Sequence, residues 1–179
     1  LPNEASASNL LYSLSNLHSA EMATSSFGQG FNCTPIQAIT AFSSIINGGK
    51  LMRPYVVSQV VDNDGNIVRE NSPQVVRSVV SKETSDFVRT AIEDVFTEGT
   101  GKKAAIQGYA FGGKTGTAQQ GDRSKQKYTL SFIAYHSIED PNIICLTLIH
   151  KPANYSDVGG AATPVPMMKT LLEKIINYE

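Results

Sequence analysis

Apolar residues recur at helical spacing in three stretches of the chain and crowd at strand-like density in several others, with polar or glycine-rich breaks between them. Ile36, Ile39, Phe42, Ile45 and Ile46 form one such stripe. Thr34 ahead of Pro35, with Gln37 three residues on, is a capping box with proline at the first helical position, and Gly48-Gly49 ends the stripe. Val88, Ala91, Ile92, Val95 and Phe96 predict a second helix over Lys82–Thr97, its acidic residues Glu83, Asp86, Glu93 and Asp94 mostly outside. Met168, Leu171, Leu172, Ile175 and Ile176 predict a closing helix over 164–178 that would pack on a sheet.

The other apolar runs follow a strand pattern. Residues 53–70 read as a strand, a turn at Asn63-Asp64-Gly65-Asn66 and a short strand through Ile67 and Val68, together a surface hairpin. Tyr128–His136 and Ile143–His150 are β-rich runs separated by Glu139-Asp140-Pro141-Asn142, a second hairpin. The mixture predicts an α+β fold, an antiparallel sheet with flanking helices. No repeat, low-complexity tract or linker divides it.

Composition narrows the function classes. At 179 residues and 41% hydrophobic content, the chain suffices to bury about 70% of its unfolded surface as one domain. A net charge of -1 and a pI near 6.3 supply no general drive toward nucleic acid or anionic membrane, and the basic cluster Arg123, Lys125 and Lys127 is too short to change that. No apolar run of about 18 residues and no signal-peptide pattern occurs. Cys33 and Cys145 are too few for a disulfide framework and lack partners at metal spacing, so both are expected as small buried hydrophobes, and no metal or cofactor is implied. His18, His136 and His150 have no nucleophile-elbow serine to serve and are expected to make ordinary hydrogen bonds.

The chemistry concentrates in Gly113-Lys114-Thr115-Gly116-Thr117-Ala118-Gln119, where an ammonium, two hydroxyls and a glycine follow one another along a stretch that can present them to an anion. Gly108, Gly113, Lys114 and Thr115 also satisfy the phosphate-loop spacing, which would make this a nucleotide-binding module. A phosphate loop follows a buried strand and opens a helix. Here the upstream residues are polar and glycine-broken, the downstream ones are poor helix formers, and Tyr109 and Phe111 alternate with small residues as in a strand.

Gly28-Gln29-Gly30, Thr34-Pro35-Ile36-Gln37, Ile46-Asn47-Gly48-Gly49-Lys50, Glu98-Gly99-Thr100-Gly101 and the Lys114-Thr115-Gly116 segment, in that order and spacing, resemble the C-terminal half of a class B penicillin-binding protein transpeptidase domain. Leu1-Pro2-Asn3-Glu4-Ala5 resembles the family segment that follows its second signature. Two family signatures are not found: no serine stands two residues before an asparagine, and Ser124-Lys125-Gln126-Lys127 fits Ser-x-x-Lys only by its letters, in a polar stretch that reads as a surface turn. The expectation is therefore that residues 1–179 are the C-terminal portion of a single transpeptidase domain whose nucleophile lies elsewhere, inactive alone toward penicillin.

The resemblance implies a serine D,D-transpeptidase that cross-links peptidoglycan stem peptides, with β-lactams as mimics of the donor, in a parent anchored to the membrane at its extracytoplasmic face. It implies that the Lys-Thr-Gly strand is a sheet edge lining the site, and that two further strands come from the N-terminal half. Lys114 and Thr115 would face the ligand carboxylate, Gly116 would leave room for its backbone, Thr117 would offer a backbone N–H to the oxyanion and its hydroxyl to the carboxylate, and Gln119 would sit on the same rim. Uncovered sheet would favour self-association. A non-catalytic scaffold of transpeptidase architecture is the remaining alternative. Tyr155, Ser156, Asp157, Gly159 and Gly160 could border the groove or merely form a turn.

Overall fold

The computed structural model describes residues 1–6, 11–121, 127–137, 139–153 and 164–178. Helix α1 (Ser19–Ser26) is followed by α2 (Pro35–Ile46), β1 (Lys50–Met52), β2 (Gln59–Val61), β3 (Ile67–Glu70), β4 (Val75–Ser78), α3 (Lys82–Thr97), β5 (Phe111–Gln119), β6 (Tyr128–His136), β7 (Ile143–His150) and α4 (Pro164–Ile176). Short 3-10 turns occupy Leu14–Asn16 and Lys102–Ala104.

Local signals account for most of these boundaries. The Thr34 hydroxyl accepts from the Gln37 N–H at 3.2 Å and the Gln37 carboxamide accepts from the Thr34 N–H at 2.9 Å, closing the capping box at the start of α2. The same Thr34 hydroxyl donates to Glu4, docking the first residues of the chain against this helix. Helix α3 covers Lys82–Thr97, capped by Ser81, whose hydroxyl accepts from the Thr84 N–H at 3.1 Å. Its inner face is narrower than its apolar spacing suggests: Ser85 and Phe96 are buried, while Ala91 is exposed.

Strands β5, β6 and β7 form one antiparallel sheet in that order. The ladder is regular, pairing Phe111 with His136 through Gln119 with Tyr128, and Thr129 with His150 through His136 with Ile143. Because side chains alternate across a strand, Phe132 and Ala134 face one side of the sheet and Ile133 and Tyr135 the other. On the first side Phe111, Phe132, Ala134 and Cys145 pack with Val165, Met168 and Leu172 of α4 and with Phe96 and Ala104, forming the main core. The Thr147 hydroxyl points at the Pro164 carbonyl, 3.0 Å away, tying β7 to the first residue of α4. On the second side Tyr135 meets Phe42 of α2, ring centroids 6.4 Å apart. Arg89 of α3 donates to the Glu139 carbonyl at 2.9 Å, holding the β6–β7 turn.

Two small antiparallel pairs complete the fold, β1 with β4 and β2 with β3. The expected hairpin over 53–70 is present only at its tip. Its first strand begins at Gln59, since Pro54 has no N–H for a ladder and the Arg53 N–H instead donates to the Gln74 carbonyl at 2.9 Å, extending the β1–β4 pair. Strands β1 and β4, α1 and the two 3-10 turns have no counterpart in the sequence reading. Cys33 is exposed, contrary to expectation, while Cys145 is buried and its thiol pKa raised by that burial. His150 accords with its expected role, its Nδ1 lying 2.9 Å from the Thr129 hydroxyl. His136 does not: its Nδ1 is buried without a hydrogen-bond partner among the described residues, and its ring leans on Tyr109 and Phe111.

Tyr135 is fully buried, donates to the Arg89 carbonyl at 3.3 Å, and has its phenol pushed by burial up to about 12 from an ordinary value of 10.0. A raised pKa in the folded state means that the stabilisation from this group is complete below about pH 10 and is lost as pH rises toward 12. The stability advantage of the wild type over Tyr135→Phe should therefore shrink or reverse between about pH 10 and 12 in denaturant titrations. A difference that stayed flat would show that the phenol titrates normally.

Candidate active site

Strand β5 is buried at its start and opens at Lys114, because two glycines change what can approach it. Phe111, Gly112 and Gly113 are buried. A Cβ at Gly112 would stand 2.4–2.5 Å from the Tyr135 ring, and one at Gly113 would stand 2.4 Å from the Ile133 carbonyl oxygen, so the pair lets β6 and its tyrosine lie close against β5. Lys114 and Thr117 are exposed, and Thr115, Gly116, Ala118 and Gln119 are half-buried.

The backbone of this strand has one used edge and one open edge. The Ser137 N–H donates to the Ala110 carbonyl at 3.2 Å, and the Gln120 N–H donates to the Lys127 carbonyl at 2.7 Å. Even-numbered residues of β5 thus pair with β6, and by antiparallel alternation Thr115 and Thr117 present their N–H and C=O groups outward. The contacts on that side agree. Lys114 Nζ donates to the Thr115 carbonyl at 2.9 Å, and Gln29 Nε2 donates to the Thr117 carbonyl at 3.2 Å. The outward edge therefore presents the backbone groups of Thr115 and Thr117, with the Lys114 ammonium on the Thr115 carbonyl and the Gln29 carboxamide on the Thr117 carbonyl.

Two loops brace it. After α3, the Gly99 N–H returns to the Asp94 carbonyl and the Gly101 N–H to the Val95 carbonyl, each at 2.8 Å. A Cβ at Gly101 would meet Phe132 Cζ at 2.9 Å, so only glycine lets this turn sit against the core. Between them Thr100 places its hydroxyl 2.8 Å from that of Thr115. The second loop, Gly28-Gln29-Gly30, holds both glycines at positive φ, 81° and 87°, the left-handed region that other residues adopt at a cost. That bend carries Gln29 to β5.

The structure brings Lys114, Thr115, Gly116, Thr117 and Gln119 onto one strand, as expected, but changes the setting of two of them. The space left by Gly116 is taken from the sheet side by Ser131, whose Oγ is 2.6 Å from where a Cβ would stand. Gln119 turns along the strand end and donates to the Gly121 carbonyl at 3.0 Å. Gln29 and Thr100 were not among the expected site residues. Both lay inside short glycine-bracketed motifs, and those glycines were the available signal. The phosphate-loop alternative fails, since residues 111–119 are strand, paired throughout with β6, where a phosphate loop would turn into a helix. Ser124, Lys125 and Gln126 of the Ser-x-x-Lys letter match, and Tyr155, Ser156, Asp157, Gly159 and Gly160, lie outside the described residues. Among the described residues no group of three or more His, Cys, Asp or Glu is placed to hold a metal ion, and no helix is long and apolar enough to cross a membrane. A groove of about 670 Å³ lined by Arg53, Tyr55, Val56 and Arg69 lies elsewhere and shares no residue with β5.

An antiparallel sheet flanked by helices is also the arrangement of solved penicillin-binding protein transpeptidase domains. Penicillin-binding protein 3 from Mycobacterium tuberculosis, solved with ampicillin, superposes with a TM-score of 0.81 at 25% identity, covering 94% of this chain and 40% of that one. The apo transpeptidase domain of Burkholderia pseudomallei penicillin-binding protein 3 gives 0.73 at 26% identity, covering 94% of this chain and 50% of that one. Residues 2–173 match the penicillin binding protein transpeptidase domain, and the chain belongs to that family. Stage V sporulation protein D of Bacillus subtilis is 36% identical over 167 residues, 90% of this chain and 26% of that protein. A peptidoglycan D,D-transpeptidase FtsI homolog of Mesostigma viride is 31% identical over 178 residues, 90% of this chain and 30% of that protein. The chain thus spans between a quarter and a third of the length of these relatives.

Proposed function

We propose that this chain is the Lys-Thr-Gly wall of a serine D,D-transpeptidase that cross-links peptidoglycan stem peptides, the C-terminal portion of a transpeptidase domain in a longer, membrane-anchored polypeptide working at the extracytoplasmic face. The observation that carries the reading is the outward edge of β5, which bears Lys114, Thr115 and Thr117 in succession, with the Lys114 ammonium and the Thr100 hydroxyl both bonded to Thr115. Lys114 and the hydroxyls of Thr115 and Thr117 bind the terminal carboxylate of the stem peptide or of a β-lactam, since charge-assisted donors hold a carboxylate more strongly than neutral ones. Thr100, hydrogen-bonded to Thr115, orients that hydroxyl. The outward Thr117 N–H is one oxyanion donor, Gly116 keeps the strand thin beside the ligand backbone, and Gln119 belongs to the rim.

The nucleophile is a serine outside these residues. Its oxygen bonds to the carbonyl carbon of the penultimate residue, the peptide C–N bond breaks, the serine proton ends on the departing D-alanine amine, and an amine of a neighbouring strand then takes the acyl group from the serine. Further strands supplied by the same polypeptide would complete the sheet, and the isolated chain, lacking them, would self-associate.

Labelled penicillin tests this. The full-length polypeptide should be acylated stoichiometrically at a serine outside these 179 residues, and the isolated chain should not be labelled. Absence of labelling in the full-length polypeptide would remove the transpeptidase assignment, and labelling of a serine within this chain would remove its division into nucleophile and wall.

A further inference from the structure

Gln29 is 88 positions from Thr117 in sequence, yet its carboxamide donates to the Thr117 carbonyl on the open edge of β5. That bond is not needed to orient the peptide plane. The N–H of the same plane belongs to Ala118, an even-numbered residue that pairs with β6 opposite Thr129, so the ladder already fixes it. What the carboxamide does is occupy an acceptor. A nitrogen 3.2 Å from an edge carbonyl stands where the N–H of an added strand would stand. The neighbouring outward carbonyl, Thr115, is occupied in the same manner by Lys114 Nζ at 2.9 Å. The outward carbonyls of Thr115 and Thr117 are thus both filled from within the chain, which also blunts an otherwise adhesive stretch of strand.

We infer that Gln29 is an exchangeable placeholder for the ligand backbone: it caps the Thr117 carbonyl while the edge is empty and gives way to an amide N–H of the incoming acyl donor. This rests on the transpeptidase reading above. In an antiparallel hydrogen-bonded pair one residue offers both its N–H and its C=O to the same residue opposite. A donor whose reacting carbonyl lies on the Thr117 N–H therefore brings its own N–H, from that same residue, to the Thr117 carbonyl. Gln29 thus sets how much that incoming N–H must displace. Gly28 and Gly30, at φ 81° and 87°, flank the residue that moves, and a Cβ at Gly28 would meet nothing within 4 Å.

The test is pre-steady-state acylation of the full-length polypeptide, separating the initial binding constant from the acylation step. It compares wild type with Gln29→Ala and Gln29→Leu, using labelled benzylpenicillin and, in competition, penicillanic acid, which lacks the acylamino N–H. Both variants should bind benzylpenicillin about 2- to 10-fold more tightly, the worth of one neutral hydrogen bond, with the acylation step unchanged. Their affinity for penicillanic acid should not change. Weaker or unaltered benzylpenicillin binding in both variants, or an equal gain for the two lactams, overturns the placeholder role and leaves the transpeptidase assignment standing. A wild type that takes no label overturns both. Equal thermal midpoints for the three proteins exclude a folding effect.

Discussion

Thr117→Pro should lower the rate of penicillin acylation of the full-length polypeptide about 100- to 1,000-fold, the cost of deleting one oxyanion donor elsewhere, while the domain stays folded. Proline is ordinarily excluded from a ladder because it has no N–H to give. At this position the N–H faces outward, since the sheet bonds of β5 are made by the even-numbered residues. Proline is tolerated on edge strands, and the preceding Gly116 has no Cβ to clash with the ring. The substitution thus removes a single backbone donor at a place where the fold does not use it. Thr117→Val separates the parts, retaining the N–H and deleting the hydroxyl, and should fall by about 10-fold, as for loss of one hydrogen bond to a charged group. If Thr117→Pro acylates at the wild-type rate with an unchanged circular dichroism spectrum, the oxyanion role of Thr117 is wrong.

Phe132→Ala should destabilise the domain by about 3–5 kcal/mol, the range for truncating a buried phenylalanine. Phe132 is fully buried, stacks on Phe96 with centroids 5.4 Å apart, and lies against Gly101. Its surroundings cannot easily collapse into the space, because β6 is paired on both sides and α4 is tied down at the Thr147–Pro164 hydrogen bond. A lowered denaturant midpoint at an unchanged slope is the expected signature. A loss below about 1 kcal/mol would mean that the core repacks around the gap, as cores tolerant of volume change do. The same residue stands opposite Thr115 in the ladder and supports the turn that carries Thr100. Partial loss of function in this variant would therefore report displacement of those hydroxyls along with reduced stability.

Where the sequence reading succeeded, the signal was local. The capping box of Thr34 and Gln37, the stripe that follows it, and the period of 82–97 each involve residues within a few turns of one another, and α2 and α3 appear as expected. Strands β6 and β7 match to the residue, since each is a dense apolar run bounded by polar turn formers. The Lys-Thr-Gly segment was legible as a strand because its flanks could support neither the preceding strand nor the following helix of a phosphate loop. The misses are of another kind. Strands β1 and β4 are three and four residues long and pair across more than twenty intervening positions, Lys50 with Ser78. Ala91 and Cys33 are apolar in type yet exposed, because helix periodicity and residue type indicate which side could be buried and not how far a neighbour reaches.

By itself, then, the sequence determined α2, α3 and α4, the central hairpin, and the placing of the Lys-Thr-Gly motif on a strand, since these depend on propensity, period and a contiguous motif. Tertiary structure alone decided which edge of β5 stays open, that Gly112 and Gly113 exist to admit Tyr135 and β6, and that Thr100 and Gln29 arrive at Thr115 and Thr117. The physical reason is that a hydrogen bond between residues 88 positions apart leaves no periodic trace in the chain; it exists only after packing has closed the loop between them.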